Sequence, residues 1–96
     1  MPAPTMPRVL GLSELDALAY RSARESTRGA VMYSIARVSR SRVTVGAYDG
    51  NLHAEAVFPC YPGVDGVRVV LDPMRYTVGD AHNARRMFAP LLEGTL

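Results

Sequence analysis

The stretch RVTVGAYDGNLHAEAVF, residues 42–58, decides the fold because it holds two alternating runs on either side of a turn. Asp49-Gly50-Asn51 predicts a tight hairpin, since glycine takes a positive φ without steric cost. Apolar side chains recur at every second position of each run, and in a strand such residues share one face. They are Val43, Val45 and Ala47 before the turn and Leu52, Ala54, Ala56 and Phe58 after it. The stretch therefore predicts two antiparallel strands with one face against a core.

The sequence on both sides of this hairpin predicts two further strands. AVMYSIARV, residues 30–38, is rich in β-branched and aromatic residues, which favour a strand. Gly29 argues against the alternative, in which these residues continue a preceding helix. The apolar run VRVVL, residues 67–71, is the other strand. The intervening PCYPGVDG, residues 59–66, contains prolines and glycines that should prevent a regular ladder, and residues 74–79 favour no single structure.

Helices are predicted near both ends of the chain. The first should follow Ser13 as its N-cap and end near Gly29. The second should follow Asp80, because apolar residues recur there at helical spacing. These residues are Ala84, Met87, Phe88, Leu91 and Leu92. Pro90 should shorten or kink this helix, since proline lacks the backbone donor and clashes with the preceding turn.

These elements give a small single α+β domain in the order α-β-β-β-β-α. Because the connections are short, we expect an antiparallel four-stranded sheet with the two helices on one face. Residues 1–8 contain Pro2, Pro4 and Pro7 and should form a disordered tail, so residues 9–96 make up the domain. The expected core consists of Leu15, Leu18, Val43, Val45, Phe58, Val69, Met87, Phe88 and Leu91.

The composition indicates the cellular setting. The chain has 96 residues and a formal net charge of +2, which is too small to imply a polyanionic partner by itself. Cys60 is the only cysteine in the sequence, so an internal disulfide is excluded and a reducing compartment is indicated. The sequence has no export signal and no run of about 18 apolar residues. We therefore expect a cytoplasmic protein that does not bind membranes.

Catalytic groups do not form a recognisable set in this sequence. His53, Glu55 and Cys60 resemble parts of the zinc-deaminase signature, H-x-E followed by P-C-x-x-C, but Gly63 stands where the second cysteine would be. In a strand His53 and Glu55 point the same way, which indicates an exposed polar pair on the solvent face. A lone cysteine beside proline is typical of a small buried apolar residue. We predict no enzymatic activity, no cofactor and no metal site.

Arginine is the one residue type with an unusual distribution. All 11 basic residues are arginine, and residues 21–42 hold six of them against the single acid Glu25. Guanidinium groups bind phosphates and acidic surfaces, so this region is a candidate anion-binding or nucleic-acid-binding site. The alternative is a solvated helix face with local ion pairs, followed by a charged turn. The six are Arg21, Arg24, Arg28, Arg37, Arg40 and Arg42.

The predicted topology bears on the nucleic-acid alternative. A helix, a three-stranded sheet and a closing helix rich in Ala and Arg, with Gly50-Asn51-Leu52-His53 before a strand, loosely resemble double-stranded RNA-binding domains over residues 42–92. The resemblance implies an α+β fold and RNA as a partner. The closing helix departs from that family because it follows Asp80 and does not start with a lysine cluster. Topology alone does not carry function.

Protein binding is the function that we predict first. Tyrosine and arginine are favoured at the centres of protein interfaces, and this chain places several of them near turns. The candidate partner-binding residues are Tyr48, Tyr61 and Arg40. They indicate a small non-enzymatic module, an adaptor or inhibitor of the kind that phages and mobile elements encode, and they leave a homodimer open. The alternative function is nucleic-acid binding through the arginine-rich residues 21–42.

Overall fold

A computed structural model describes residues 6–24 and 31–95 of the protein. The elements in these residues are β1 (Val9–Gly11), α1 (Leu12–Arg24), β2 (Met32–Val38), β3 (Arg42–Asp49), β4 (Leu52–Gly63), β5 (Gly66–Val70), β6 (Arg75–Val78) and α2 (Ala81–Glu93). They form a small α+β domain with two helices and an antiparallel sheet, which confirms the predicted class. The predicted helix end at Gly29 and the first five residues of the predicted tail lie outside the described residues. Neither α1 nor α2 has the length and hydropathy that crossing a membrane requires.

The predicted order α-β-β-β-β-α and the four-stranded sheet are wrong in detail. The described residues give β-α-β-β-β-β-β-α and six strands, because two short strands, β1 and β6, add to the four predicted ones. β1 has three residues and pairs with β5, and β6 has four residues and pairs with β4. Strands this short cannot show a period of two in the sequence, so their pairing partners define them. The extra strands also depart from the three-stranded pattern of double-stranded RNA-binding domains.

β4 is the central strand of the sheet. The strand order is β1-β5-β4-β3-β2, and β6 pairs with β4 as well. β5 and β6 lie end to end along the β4 edge opposite β3, with β5 beside residues 60–63 and β6 beside residues 55–57. The predicted β3–β4 hairpin is present. It turns at Gly50, whose φ of 61° lies in the left-handed region that glycine favours, and Asp49 pairs with Leu52 across the turn.

The predicted loop at residues 59–66 is mostly strand, because β4 runs through two prolines to Gly63. In an antiparallel strand the N–H and C=O of one residue point to the same side, and this side alternates along the chain. The carbonyl of Val57 accepts from the N–H of Met74 on the β5–β6 side. Pro59 faces that same side, at the gap between β5 and β6, where the ladder has no acceptor for an N–H.

The second proline of β4 is tolerated for a related reason. The N–H of Cys60 donates to the carbonyl of Ser41 at 2.9 Å on the β3 side of the strand. Pro62 faces this side two residues further on, past the residues of β4 that pair with β3. Its missing N–H therefore costs the sheet no hydrogen bond. Both prolines lie where a strand can accept them.

The N-terminus of α1 is capped by a residue that the sequence did not single out. Ser13, the predicted N-cap, lies inside the first turn, so that prediction is wrong. Oε1 of Glu14 accepts from the N–H of Gly11 at 3.3 Å, which is the reaching-back half of a capping box. Near the other end of α1, Oγ of Ser22 accepts from the N–H of Tyr33 at 3.1 Å. This bond ties α1 to β2.

α2 follows the N-cap that the sequence predicted. Oδ1 of Asp80 accepts from the N–H of His82 at 2.8 Å. The helix does not stop at Pro90 but continues to Glu93. Gly94 closes it with a φ of 77°, a left-handed cap that glycine adopts without strain.

Both helices contribute to one apolar cluster with one face of the sheet. Phe88 of α2 is fully buried, and its ring centroid lies 5.8 Å from that of Tyr33, 6.1 Å from that of Phe58 and 6.0 Å from that of Tyr76. Eight of the nine predicted core residues belong to the cluster. Leu18, the ninth, is half-buried and lies outside it, because α1 turns a neighbouring face inward.

Candidate functional site

Two of the three predicted partner-binding residues lie together and the third lies at the far end of β4. Arg40 is in the turn between β2 and β3, and Tyr61 follows Cys60, whose N–H bonds that turn. Tyr48 pairs with His53, which precedes Tyr61 by eight residues on β4. At about 3.3 Å per residue this separation is about 26 Å. The three residues therefore do not form one contact surface.

The end of the molecule that carries Arg40 and Tyr61 exposes apolar side chains. β4 extends four residues past its last pair with β3, and this extension forms a projecting hairpin with β5. Val64 in the hairpin turn is fully exposed, Tyr61 is 45% exposed, and Val38 at the end of β2 is 47% exposed. We call Val38, Arg40, Tyr61 and Val64 the hairpin-end surface.

A groove of about 710 Å³ opens beside the hairpin-end surface, between α1, β2 and the start of β5. We call it the α1 groove. Its apolar lining residues are Leu12, Ile35, Val38 and Val67, and its charged ones are Glu14, Asp16, Asp65 and Arg68. Nη1 of Arg68 lies 3.9 Å from Oε1 of Glu14, so the positive charge of Arg68 offsets the negative charge of Glu14. Asp16 and Asp65 then give the groove lining a net negative charge.

The face of the sheet away from the core is not covered by a described helix. Even-numbered residues of β4 enter the apolar cluster, so His53, Glu55 and Val57 face outward. The strand register aligns Val57 with Thr44 on β3 and with a residue of β6. The open face is therefore built from β2, β3, β4 and β6.

One row of this open face has an arginine at each end. Arg37 on β2 pairs with Thr44, Thr44 with Val57, and Val57 with Arg75 on β6. At about 4.8 Å per strand the two arginine backbones are about 14 Å apart. These four residues, with Ala36, Glu55 and Thr77, line a shallow cavity of about 440 Å³ that we call the sheet-face groove.

An aromatic pair lies further along the same face. The rings of Tyr48 and His53 are stacked, with centroids 4.6 Å apart and planes 5° from parallel. A Cβ at Gly46 would lie 3.2 Å from the Tyr48 hydroxyl, so the missing side chain leaves room for this ring. Nε2 of His53 lies 3.5 Å from Oε2 of Glu55, which confirms that these two side chains share one face.

The six arginines of the predicted basic region do not form one patch. Arg21 and Arg24 belong to α1, Arg37 to β2, Arg40 to the turn that follows it and Arg42 to β3, whereas Arg28 lies outside the described residues. α1 packs on the core face of the sheet, while the arginines of β2 and β3 project from the open face. The helix stripe and the strand arginines are therefore on opposite sides of the domain.

The candidate catalytic groups are not brought together. Cys60 and His53 lie on opposite faces of β4, because one has an even and the other an odd position in the strand. Burial raises the pKa of the Cys60 thiol, which disfavours the thiolate that a nucleophile requires. Its Sγ lies 3.7 Å from the carbonyl of Ser39. This is the environment of a packed apolar cysteine.

Sequence reasoning missed two features of these surfaces. The sequence pattern predicts an irregular loop at Val64, although an apolar residue between glycine and aspartate in a hairpin turn is a signal of exposure. Arg75 carries no such signal, because its place beside Val57 depends on β6, which the sequence pattern does not show. The fold therefore adds Val64 to the hairpin-end surface and Arg75 to the sheet-face groove.

Comparison with protein-family models, with curated proteins and with solved structures found no match for this chain. The class that the geometry defines is a small α+β domain with two separate candidate surfaces. One is the hairpin-end surface with the acidic α1 groove, and the other is the open sheet face with its arginines and stacked rings.

Proposed function

We propose that this protein is a non-enzymatic binding module, an adaptor or inhibitor, that docks on a protein partner through the hairpin-end surface and the α1 groove. The observation that carries the proposal is the position of fully exposed Val64 and of Tyr61 on a projecting hairpin beside a groove with an apolar lining. Exposed apolar groups next to a concave surface are typical of interaction sites.

The energetics favour a partner that covers these side chains. Fully burying a valine or similar side chain contributes roughly 1.5–3 kcal/mol, so Val38 and Val64 can supply a large share of the binding free energy. Tyrosine and arginine are the residue types most often found at the energetic centre of an interface. Tyr61 and Arg40 belong to the same surface as the two valines.

The charge of the α1 groove defines the partner further. Asp16 and Asp65 line it without an ion pair to a described residue, while Glu14 is opposed by Arg68. A partner that inserts an apolar side chain into the groove should associate faster and in one register if arginine or lysine flanks that side chain, because opposite potentials steer association and fix register. We therefore propose a basic, apolar-tipped protein segment as the ligand.

The placement of the reactive side chains supports the non-enzymatic part of the proposal. A nucleophile and its base must lie within hydrogen-bonding reach of each other. Cys60 is buried on the core side of β4, and His53 projects from the other side. Cys60 follows His53 by seven positions along extended strand, which is about 23 Å.

The proposal is tested by capture from the source cell with immobilised wild-type and variant protein. Tyr61→Ala and Val64→Asp should each lose a protein that the wild type retains, and Asp16→Asn with Asp65→Asn should weaken its binding about tenfold. Tyr20→Ala is the matched control, because Tyr20 is also an exposed tyrosine, at 65%, but lies on α1 away from the hairpin. Truncating a residue at the energetic centre of an interface costs about 2 kcal/mol or more of binding free energy.

Two results would contradict this function. One is that Tyr61→Ala, Val64→Asp and the Asp16→Asn, Asp65→Asn double variant all retain every captured protein as well as the wild type does. The other is recovery of nucleic acid alone, with no protein that responds to Tyr61 or Val64. Circular dichroism of each variant should match the wild type, since both side chains are exposed and their loss does not open the core.

A further inference from the structure

The open sheet face carries three arginines. Arg37 and Arg75 end one row, and Arg42 projects from the same side of β3 two residues before Thr44. Among residues 6–24 and 31–95, no carboxylate lies within ion-pair distance of these three guanidinium groups. Glu55 is the acid that lines the groove, and it faces His53 at 3.5 Å. The face therefore presents more positive than negative charge.

The same face offers flat surfaces for stacking. Tyr48 and His53 stand side by side on neighbouring strands, stacked at 4.6 Å. Tyr48 is four residues from Thr44 on β3, so the aromatic pair lies about 13 Å from the arginine row. Gly46 lies between them on β3, and the Tyr48 ring extends over it, so the ring is closer to the row than its backbone is. Guanidinium groups beside aromatic rings on an open sheet suit a chain of alternating phosphates and bases.

We propose that this face binds single-stranded nucleic acid, with phosphates on Arg37, Arg42 and Arg75 and unpaired bases against Tyr48 and His53. Arginine suits this role because its planar fork binds phosphate oxygens through paired N–H groups and keeps its charge at any physiological pH. This activity is separate from the protein-binding function proposed above, since it uses the open face of the sheet, whereas the α1 groove lies on the side of the sheet that carries α1.

A single strand fits this face better than a duplex or a protein does. Bases of a duplex are paired and stacked inside the helix, so they cannot use the Tyr48–His53 pair. The fully buried core of a protein interface is more apolar than the rest of the protein surface. None of the residues that line the sheet-face groove is among the large exposed apolar side chains of the described structure.

The experiment measures fluorescence anisotropy of a labelled oligo-thymidine as the full-length protein is added at several salt concentrations. The double variant Arg37→Gln, Arg75→Gln should bind at least tenfold more weakly than the wild type. Its slope of log K against log salt should be smaller by roughly 1.4, which corresponds to two lost single-strand phosphate contacts. The charge-matched control is Arg21→Gln, Arg24→Gln, which removes two arginines from α1 and should change the affinity less than twofold.

The stacking part is tested with Tyr48→Ala and its conservative counterpart Tyr48→Phe. Loss of one base-stacking ring weakens binding by about tenfold, and phenylalanine keeps the ring, so Tyr48→Phe should bind like the wild type. Duplex DNA of matched length should bind more weakly than the single strand. The protein-binding variants Tyr61→Ala and Val64→Asp should leave the oligonucleotide affinity unchanged, which separates failure of this inference from failure of the proposed function.

Three outcomes would overturn the inference. The wild type could show no anisotropy change at low salt, the two arginine double variants could lose affinity equally, or the duplex could bind as tightly as the single strand. Equal loss from both double variants would indicate attraction by net charge alone. Tight duplex binding would indicate that the arginines contact the phosphates of a double helix and that the bases do not stack on Tyr48 and His53.

Discussion

At the scale of single residues, Gly79 shows how closely two elements approach. It lies between β6 and α2 with a φ of 81°, and a Cβ there would come within 2.7 Å of the carbonyl oxygen of His53. Gly50 in the β3–β4 turn has a similar φ of 61° but no atom within 4 Å of its absent Cβ. Comparing alanine substitutions at the two positions therefore separates the free-energy cost of a left-handed φ from the cost of a steric clash.

We predict that Gly79→Ala destabilises the protein by at least about 1 kcal/mol more than Gly50→Ala does. Placing a side chain at a left-handed φ costs roughly 1–2 kcal/mol at either site. Only alanine at position 79 must also push against the backbone of β4. Urea titrations of the two variants give the comparison, and equal free energies of unfolding would contradict the close approach.

At the scale of elements, Tyr33 joins the two helices through β2. Its N–H donates to Oγ of Ser22 on α1, and its hydroxyl donates to the carbonyl of Met87 on α2 at 2.5 Å. Burial raises the pKa of Tyr33 to about 12, against a smaller lowering by the backbone of Leu91. The folded protein therefore holds this phenol in its neutral form.

Two changes in stability follow for Tyr33→Phe. Removing the hydroxyl leaves the Met87 carbonyl with one bond fewer and should cost about 1 kcal/mol at neutral pH. The wild type should also lose stability as pH rises from about 10 through about 12, because the unfolded phenol ionises first. Tyr33→Phe should lose less over that range. Tyr20→Phe, at an exposed position, is the control, and identical pH profiles for wild type and Tyr33→Phe would contradict the assignment.

How far the elements could be predicted from the sequence depends on how local their signals are. The β3–β4 hairpin and the N-cap of α2 rest on neighbouring residues, Gly50 and Asp80, and both are present. The strand through Pro59 and Pro62 could not be predicted, because a proline is acceptable there only where the adjacent strand is absent. That information lies in the pairing of distant segments.

For the candidate sites too, the residue types can be read from the local sequence, whereas their proximity depends on the pairing of distant segments. Tyr61 and Arg40 could be selected from the sequence because they lie near turns and are of interface type, but their proximity depends on a backbone bond between β4 and the β2–β3 turn. Tyr48 has the same sequence signals, but its position beside His53 is about 26 Å from Tyr61 along β4. Arg75 could not be associated with Arg37 before the register across four strands was known.

At the scale of the whole molecule, one cluster around Phe88 holds both helices to the sheet. Its ring contacts three aromatic side chains and is fully buried. Phe88→Ala should therefore cost about 3–5 kcal/mol in a denaturant titration. Tyr61→Ala, which removes an exposed ring, should cost less than about 0.5 kcal/mol. A cost under about 1 kcal/mol for Phe88→Ala would contradict the position of α2.

The fold leaves two surfaces free of this core, and they differ in chemistry. The hairpin end combines exposed apolar groups with the acidic α1 groove, which suits a basic protein segment. The open sheet face combines arginines with stacked rings, which suits a single strand. The α1 groove and the sheet-face groove lie on different sides of the sheet and adjoin at Val38 and Arg37, which are neighbours on β2.

Site-specific photo-crosslinking in the source cell tests the protein-binding proposal most directly. A photoreactive amino acid replaces Val64 in the β4–β5 turn or, as a matched control, Leu52 in the β3–β4 hairpin, since both side chains are exposed and near turns. We predict a discrete crosslinked protein from position 64 and none from position 52. Crosslinks from position 52 alone, or from neither position while the variant protein is folded, would contradict docking through the hairpin end.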